Sequence, residues 1–142
     1  DGKQDNSDGN GVWKGEISAN KSGWVQEGGK WYYYQKGVKA TGWLLYGKTW
    51  YYLKPTGEMQ TGWLLYGGKW YFLDRTSGRM VTSNWVDDGG KWYYMQEDGT
   101  MATNKWIKWY NKWYYVGADG AMYTNRKTPD GYWVNASGVW VK

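Results

Sequence analysis

Tryptophan recurs along this chain in pairs, and the pairs recur at a nearly fixed interval. The leading residues are Trp24, Trp43, Trp63, Trp85 and Trp106, separated by 19, 20, 22 and 21 positions. Each has a partner seven residues on: Trp31, Trp50, Trp70, Trp92 and Trp113. The stretch Thr61–Tyr71, TGWLLYGGKWY, shows the unit whole. A period near 20 residues marks a repeat architecture, because a unit that small cannot bury its apolar face alone and must stack on its neighbours.

Composition narrows how the units pack. Of 142 residues 21% are aromatic, with 14 Trp and 15 Tyr, whereas Leu, Ile and Val together number only 17. An ordinary aliphatic core is not expected from that inventory; aromatic rings are expected to pack in small repeated clusters. There is no cysteine, hence no disulfide framework or thiolate metal site. Nor is there histidine, the side chain best suited to proton transfer near neutral pH and the commonest metal ligand. Neither a metal nor a cofactor is expected. No apolar run approaches the ~18 residues of a membrane span, and no signal-peptide pattern is visible from Asp1, so the chain reads as a mature fragment or excised module without membrane insertion. The net charge of +5 favours anionic partners without naming them.

Residues 1–12 read as a linker or the end of a truncated preceding repeat, and 13–142 as the repeat array, ending in a terminal cap at 125–142. The run DNSDGNG invites a calcium-loop reading. That reading fails, because a loop begun at Asp5 puts Asn10 at the sharp turn where glycine is required. Gly11-Val12-Trp13 has a twin in Gly138-Val139-Trp140. Within each repeat a short strand leads to a two-residue turn: Gly28-Gly29, Gly47-Lys48, Gly67-Gly68 or Gly89-Gly90. Glycine supplies the positive φ that such hairpin turns need. The fifth turn has Tyr110-Asn111, which predicts strain or another turn type. A Gly-x-Met loop follows, ending at Met59, Met80, Met101 and Met122; the first repeat has Lys39 in that place. Asn84 and Lys105 replace the glycine before Trp85 and Trp106, so these strands are expected to start differently. In the cap, Pro129 threatens the register, and Gly131 stands where a second tryptophan belongs.

Two-residue turns fix the pairing. Around Gly67-Gly68, Tyr66 faces Lys69, Leu65 faces Trp70 and Trp63 faces Phe72, and side chains alternate between faces. Both tryptophans of a repeat therefore share one face, while the residue after the second tryptophan points back towards the preceding repeat. Stacked hairpins then create three-ring clusters: Trp24, Trp31, Tyr51; Trp43, Trp50, Tyr71; Trp63, Trp70, Tyr93; and Trp85, Trp92, Tyr114. Tyr132, which keeps its distance from the loop glycine, would complete a fifth with Trp106 and Trp113. The clusters are either plain core or cages. A core would accept leucine, whereas a quaternary ammonium, which donates no hydrogen bond, needs π faces.

These residues closely resemble the choline-binding repeats of Gram-positive cell-surface proteins and phage lysins. Gly-Trp, a short strand, a glycine turn, Trp-Tyr-Tyr and Gly-x-Met follow in that order, as in TGWLLYGKTWYYLKPTGEM at Thr41–Met59. The resemblance covers about residues 22–142. It implies an all-β solenoid of stacked β-hairpins wound as a left-handed superhelix. It also implies that the fifteen clustered rings bind choline, with Met59, Met80, Met101 and Met122 either walling the cages or packing beside them. The implied role is a non-catalytic cell-wall-binding module, secreted to the bacterial surface and held there by choline or phosphocholine on teichoic and lipoteichoic acid. A homodimer through terminal repeats is a further expectation.

The alternative is a glucan-binding repeat stacking sugar rings on the same aromatics. Single-stranded nucleic acid is disfavoured because the basic residues form no continuous stripe. Catalysis by paired carboxylates is disfavoured too: Asp98 and Asp119 precede loop glycines at matched positions, which is turn chemistry, and Asp87-Asp88 reads as a solvated strand end.

Overall fold

The structure, a computed structural model, describes residues 21–142. The expectations for the opening linker, the rejected calcium loop and the Gly11-Val12-Trp13 twin lie outside the described residues. The described residues contain strands and turns but no helix, and so no helix long and apolar enough to cross a membrane. They fall into two compact units: the residues up to Thr61 with Arg75–Arg79, and Gly62–Asp74 with Met80–Lys142.

The first unit holds β1 (Gly23–Glu27), β2 (Lys30–Gln35) and β3 (Val38–Lys39) in one sheet, and the hairpin of β4 (Gly42–Tyr46) and β5 (Thr49–Leu53). The second holds three hairpins: β6 (Gly62–Tyr66) with β7 (Lys69–Leu73), β8 (Asn84–Asp88) with β9 (Lys91–Met95), and β10 (Lys105–Trp109) with β11 (Lys112–Val116). It ends in a three-stranded cap of β12 (Arg126–Lys127), β13 (Trp133–Val134) and β14 (Trp140–Val141).

The hairpin register is the one the turn lengths predict. Trp63 pairs with Phe72, Leu65 with Trp70 and Tyr66 with Lys69, and the other four hairpins repeat this. Both turn residues have positive φ in every case, 58° and 78° at Gly67-Gly68, which is the twist that matches antiparallel strands. The fifth turn corrects the expectation of another turn type. Tyr110 (φ 48°) and Asn111 (φ 65°) adopt the same conformation. An L-residue there costs about 1–2 kcal/mol; the Tyr110 ring stays exposed and packs edge-on against Trp109 at 4.9 Å.

The strand starts differ where the leading glycine is lost. Gly23, Gly42 and Gly62 carry φ near 80° themselves; before Trp85 and Trp106 the positive φ moves one residue back, to Ser83 (48°) and Asn104 (50°). One conformational requirement is thus met by two different residues, and a longer connecting loop is absorbed.

Few aliphatics does not mean no aliphatic core. Leu53, Leu73, Met95, Val116 and Val134, each closing the second strand of its hairpin or cap, have no solvent exposure. Leu53 clusters with Leu44 and Tyr51 in the first unit; in the second, Met95 clusters with Phe72 and Val86, and Val116 with Ala102 and Ile107. Full burial of such a side chain contributes about 1.5–3 kcal/mol. The scarce aliphatics form this line and the rings flank it, so packing by rings alone is corrected.

The Gly-x-Met loops are stacking joints. Each methionine bridges antiparallel to the buried residue closing its own hairpin, Leu53 to Met59 and Met95 to Met101 for example. Its thioether then lies over the glycine of the next loop. A Cβ added to Gly99 would sit 2.5 Å from the Met80 sulfur, and one on Gly120 2.5 Å from that of Met101. Both glycines also have φ of 84–90°. Lys39 lays its stem over Gly57 in the same way.

Candidate functional site

Register decides which rings meet. In each hairpin the leading tryptophan has an aromatic ring directly across the pair: Tyr33, Tyr52, Phe72, Tyr94 or Tyr115, with centroids 5.0–5.2 Å apart and rings edge to face. That contact orients the indole. Stacking then brings in the next hairpin. Trp24 meets Tyr51 at 5.0 Å, Trp63 meets Tyr93 at 5.2 Å and Trp85 meets Tyr114 at 5.6 Å. The cap supplies Tyr132 to Trp106 at 6.1 Å. Four of the five expected clusters thus have their leading tryptophan against the expected tyrosine. The other, Trp43, Trp50 and Tyr71, draws on both units; within the first, Trp43 and Trp50 stand 6.3 Å apart.

The second tryptophans behave differently. Trp31, Trp50, Trp70, Trp92 and Trp113 all remain 39–43% exposed. A residue kept only for packing has no reason to hold that exposure five times over, so the indoles present a face to solvent at every hairpin. In the second unit the result is three open pockets. Trp63, Trp70 and Tyr93 line one of about 230 Å³ with Met101 and Asp119. Trp85, Trp92 and Tyr114 line one of about 340 Å³ with Trp109 and Met122. Trp106, Trp113, Tyr132 and Trp140 line one of about 420 Å³.

Met101 and Met122 thus both wall a pocket and pack on the next loop, while Met59 joins the cluster of Leu44, Tyr51 and Leu53. Met80 lies over Gly99. In the first repeat Lys39 holds its ammonium 4.1 Å from the centre of the Tyr32 ring, so the ring facing back is covered by an internal cation.

Three contributors were missed from sequence. Trp140 replaces methionine in the cap's Gly138-Val139-Trp140; the matching glycine register was the available signal. Its indole N–H is buried without a hydrogen-bond partner, and its ring lies 6.1 Å from Tyr132. Asp88, read as solvated, accepts a hydrogen bond from the Trp63 indole N–H at 3.0 Å. Asp130 does the same for Trp106 at 2.9 Å. Pro129 does not displace Tyr132, because the tight turn Thr128–Gly131 absorbs it, with Thr128 N–H donating to the Tyr132 carbonyl. The Thr128 hydroxyl and then the Trp106 indole hold the Asp130 carboxyl below its usual range. Asp98 and Asp119 do serve their loops, accepting from Thr100 N–H and Ala121 N–H at 2.9 Å. Asp119 also lines the third pocket. Burial pushes the Tyr93 phenol up, with the charges of Asp119 and Asp88 adding to it.

Comparison with known proteins agrees with this geometry. Residues 40–85 and 108–140 match models described as choline-binding repeat, and residues 22–36 and 83–101 match one described as putative cell wall binding repeat. Among curated protein sequences none matches. Among solved structures, choline binding protein F from Streptococcus pneumoniae is 45% identical over 85% of this chain, with a TM-score of 0.71. Its form in the presence of a peptidoglycan analogue, a tetrasaccharide-pentapeptide, gives 45%, 85% and 0.73. The modular autolysin LytC from Streptococcus pneumoniae is 31% identical over 83% of this chain, with a TM-score of 0.72. The chain spans 40% of the length of choline binding protein F and 28% of that of the autolysin.

Proposed function

Because the chain belongs to the choline-binding repeat family, we propose that it is a non-catalytic module that holds its protein to the bacterial surface by caging choline of teichoic and lipoteichoic acids. The observation that carries this reading is the repeated half-exposure of the second tryptophan beside a tyrosine from the next hairpin. Each cage offers π faces at right angles and no obligatory hydrogen-bond donor, which suits a quaternary ammonium. At roughly 0.5–2 kcal/mol per ring, three rings give a few kcal/mol, or affinity on the order of millimolar for one site. Several sites on one chain then grip a polymer far more tightly than any one grips free choline. The cages belong to Trp24, Trp31, Tyr51; Trp43, Trp50, Tyr71; Trp63, Trp70, Tyr93; Trp85, Trp92, Tyr114; and Trp106, Trp113, Tyr132 with Trp140.

The test is a titration read by tryptophan fluorescence and melting temperature. Millimolar choline should change the fluorescence and raise the melting temperature, since a ligand that binds only the folded state stabilises it. Equal effects from ammonium chloride at matched ionic strength, or stronger ones from glucan oligosaccharides, would overturn the reading.

A further inference from the structure

The third cage is electrically lopsided. Asp119 lines it, and Asp88 holds the Trp63 indole. Beyond Trp70 and Met101, which serve both cavities as walls, lies a second groove of about 330 Å³. Its lining is of another kind: Lys69 and Lys105, with Gln96, Thr100 and Thr103. The lysines line the groove and not the cage; Asp119 lines the cage and not the groove. The Lys105 ammonium donates to Gln96 Oε1 at 2.9 Å, a neutral partner that leaves its charge uncompensated. Asp98 lies close enough to Lys69 for the lysine to help lower its pKa, after the Thr100 hydroxyl and amide, so the groove sets two cations against one carboxylate already engaged by its own loop.

We propose that this junction is a two-part site for a zwitterion, the cage taking a quaternary ammonium and the Lys69–Lys105 groove taking the phosphate joined to it. The proposal rests on the choline reading and names the group next to the choline. A short spacer carries the phosphate out of the cage, past the Met101–Trp70 wall, to ammonium groups that bind phosphate as point charges. The carboxylate in the cage works the same way from the other side, attracting the ammonium and repelling the phosphate. One repeat earlier the positions matching Lys69 and Lys105 are Thr49 and Asn84, both uncharged, so the feature does not belong to every repeat.

The experiment compares choline, phosphocholine and inorganic phosphate on the whole chain, following the indole N–H signals of Trp70 and Trp106 by NMR at low salt. At Trp70 phosphocholine should bind about three- to tenfold more tightly than choline, within reach of two exposed ion pairs, and the advantage should fade with added salt. Lys69→Gln/Lys105→Gln should abolish that preference while leaving the choline affinity and the Trp106 response unchanged; Lys69→Glu should reverse it. An unchanged ratio in the double variant, with choline still binding, would overturn the groove alone. No response of either indole to choline would overturn the choline reading and the groove with it.

Discussion

The third junction and the cap junction use one frame for two chemistries. Each sets a leading tryptophan, its partner seven residues on, and the tyrosine of the next element around a pocket. In each, a carboxylate from that next element receives the leading indole N–H, Asp88 at one and Asp130 at the other. They part at the fourth wall. The third junction has Met101, whose thioether also lies over Gly120. The cap has Trp140, and among the described residues no glycine faces it as Gly120 faces Met101. A side chain that must both wall a pocket and fit over a glycine has to be slender and flexible. One freed from the second duty is large and flat, and the cap pocket is correspondingly more aromatic, about 420 Å³ against about 230 Å³.

The strongest way to break the comparison is Gly120→Ala. The new methyl group would meet the Met101 sulfur and also force alanine to φ 84°. A loss of about 2–4 kcal/mol in stability is expected, read by chemical denaturation, with choline binding at the third junction damaged first. A variant as stable as the parent would mean that methionine and glycine are not joined as described. Trp140→Ala should act on binding instead. Choline affinity at the cap should fall about tenfold, one ring's share, while the Trp70 indole responds as before. Equal losses at both junctions would show that Trp140 supports the stack rather than the pocket.

Acid sharpens the comparison more gently. Asp130 has its pKa lowered, so the stability it lends the cap is fully present above the usual aspartate range and is lost as pH falls through the lowered value. The Trp106 indole signal should therefore move only below that range. Movement at the ordinary aspartate value would remove the Thr128 hydroxyl from the account. The smallest effect is at the fifth turn. Tyr110→Gly should stabilise by about 0.5–1 kcal/mol, the relief of a left-handed L-residue less the entropy glycine adds to the unfolded chain. Destabilisation would mean that the Trp109–Tyr110 contact outweighs the strain.

Hairpin pairing and ring clusters were legible in the sequence because two-residue turns leave no freedom of register and side chains alternate with a period of two. Trp63 and Trp70 could only share a face. What stayed illegible was decided between repeats rather than within them. Nothing local marks Asp88 as the partner of an indole 25 residues earlier. Nor does the spacing of Gly-x-Met say that a methionine rests on the glycine of the following loop. The aliphatic line was hidden for a different reason: Leu53, Leu73, Met95, Val116 and Val134 are few, and only their shared position gives them weight.

The seating of thioethers over glycines makes this chain sensitive to oxidants despite its lack of cysteine. Converting methionine to its sulfoxide adds a polar oxygen and a new chiral centre at sulfur. At Met80, Met101 and Met122 the sulfur already lies where the next loop glycine leaves no room for a methyl group. Peroxide would thus strike the joints between repeats before it touched an indole, and a reductase acting on sulfoxides would restore them.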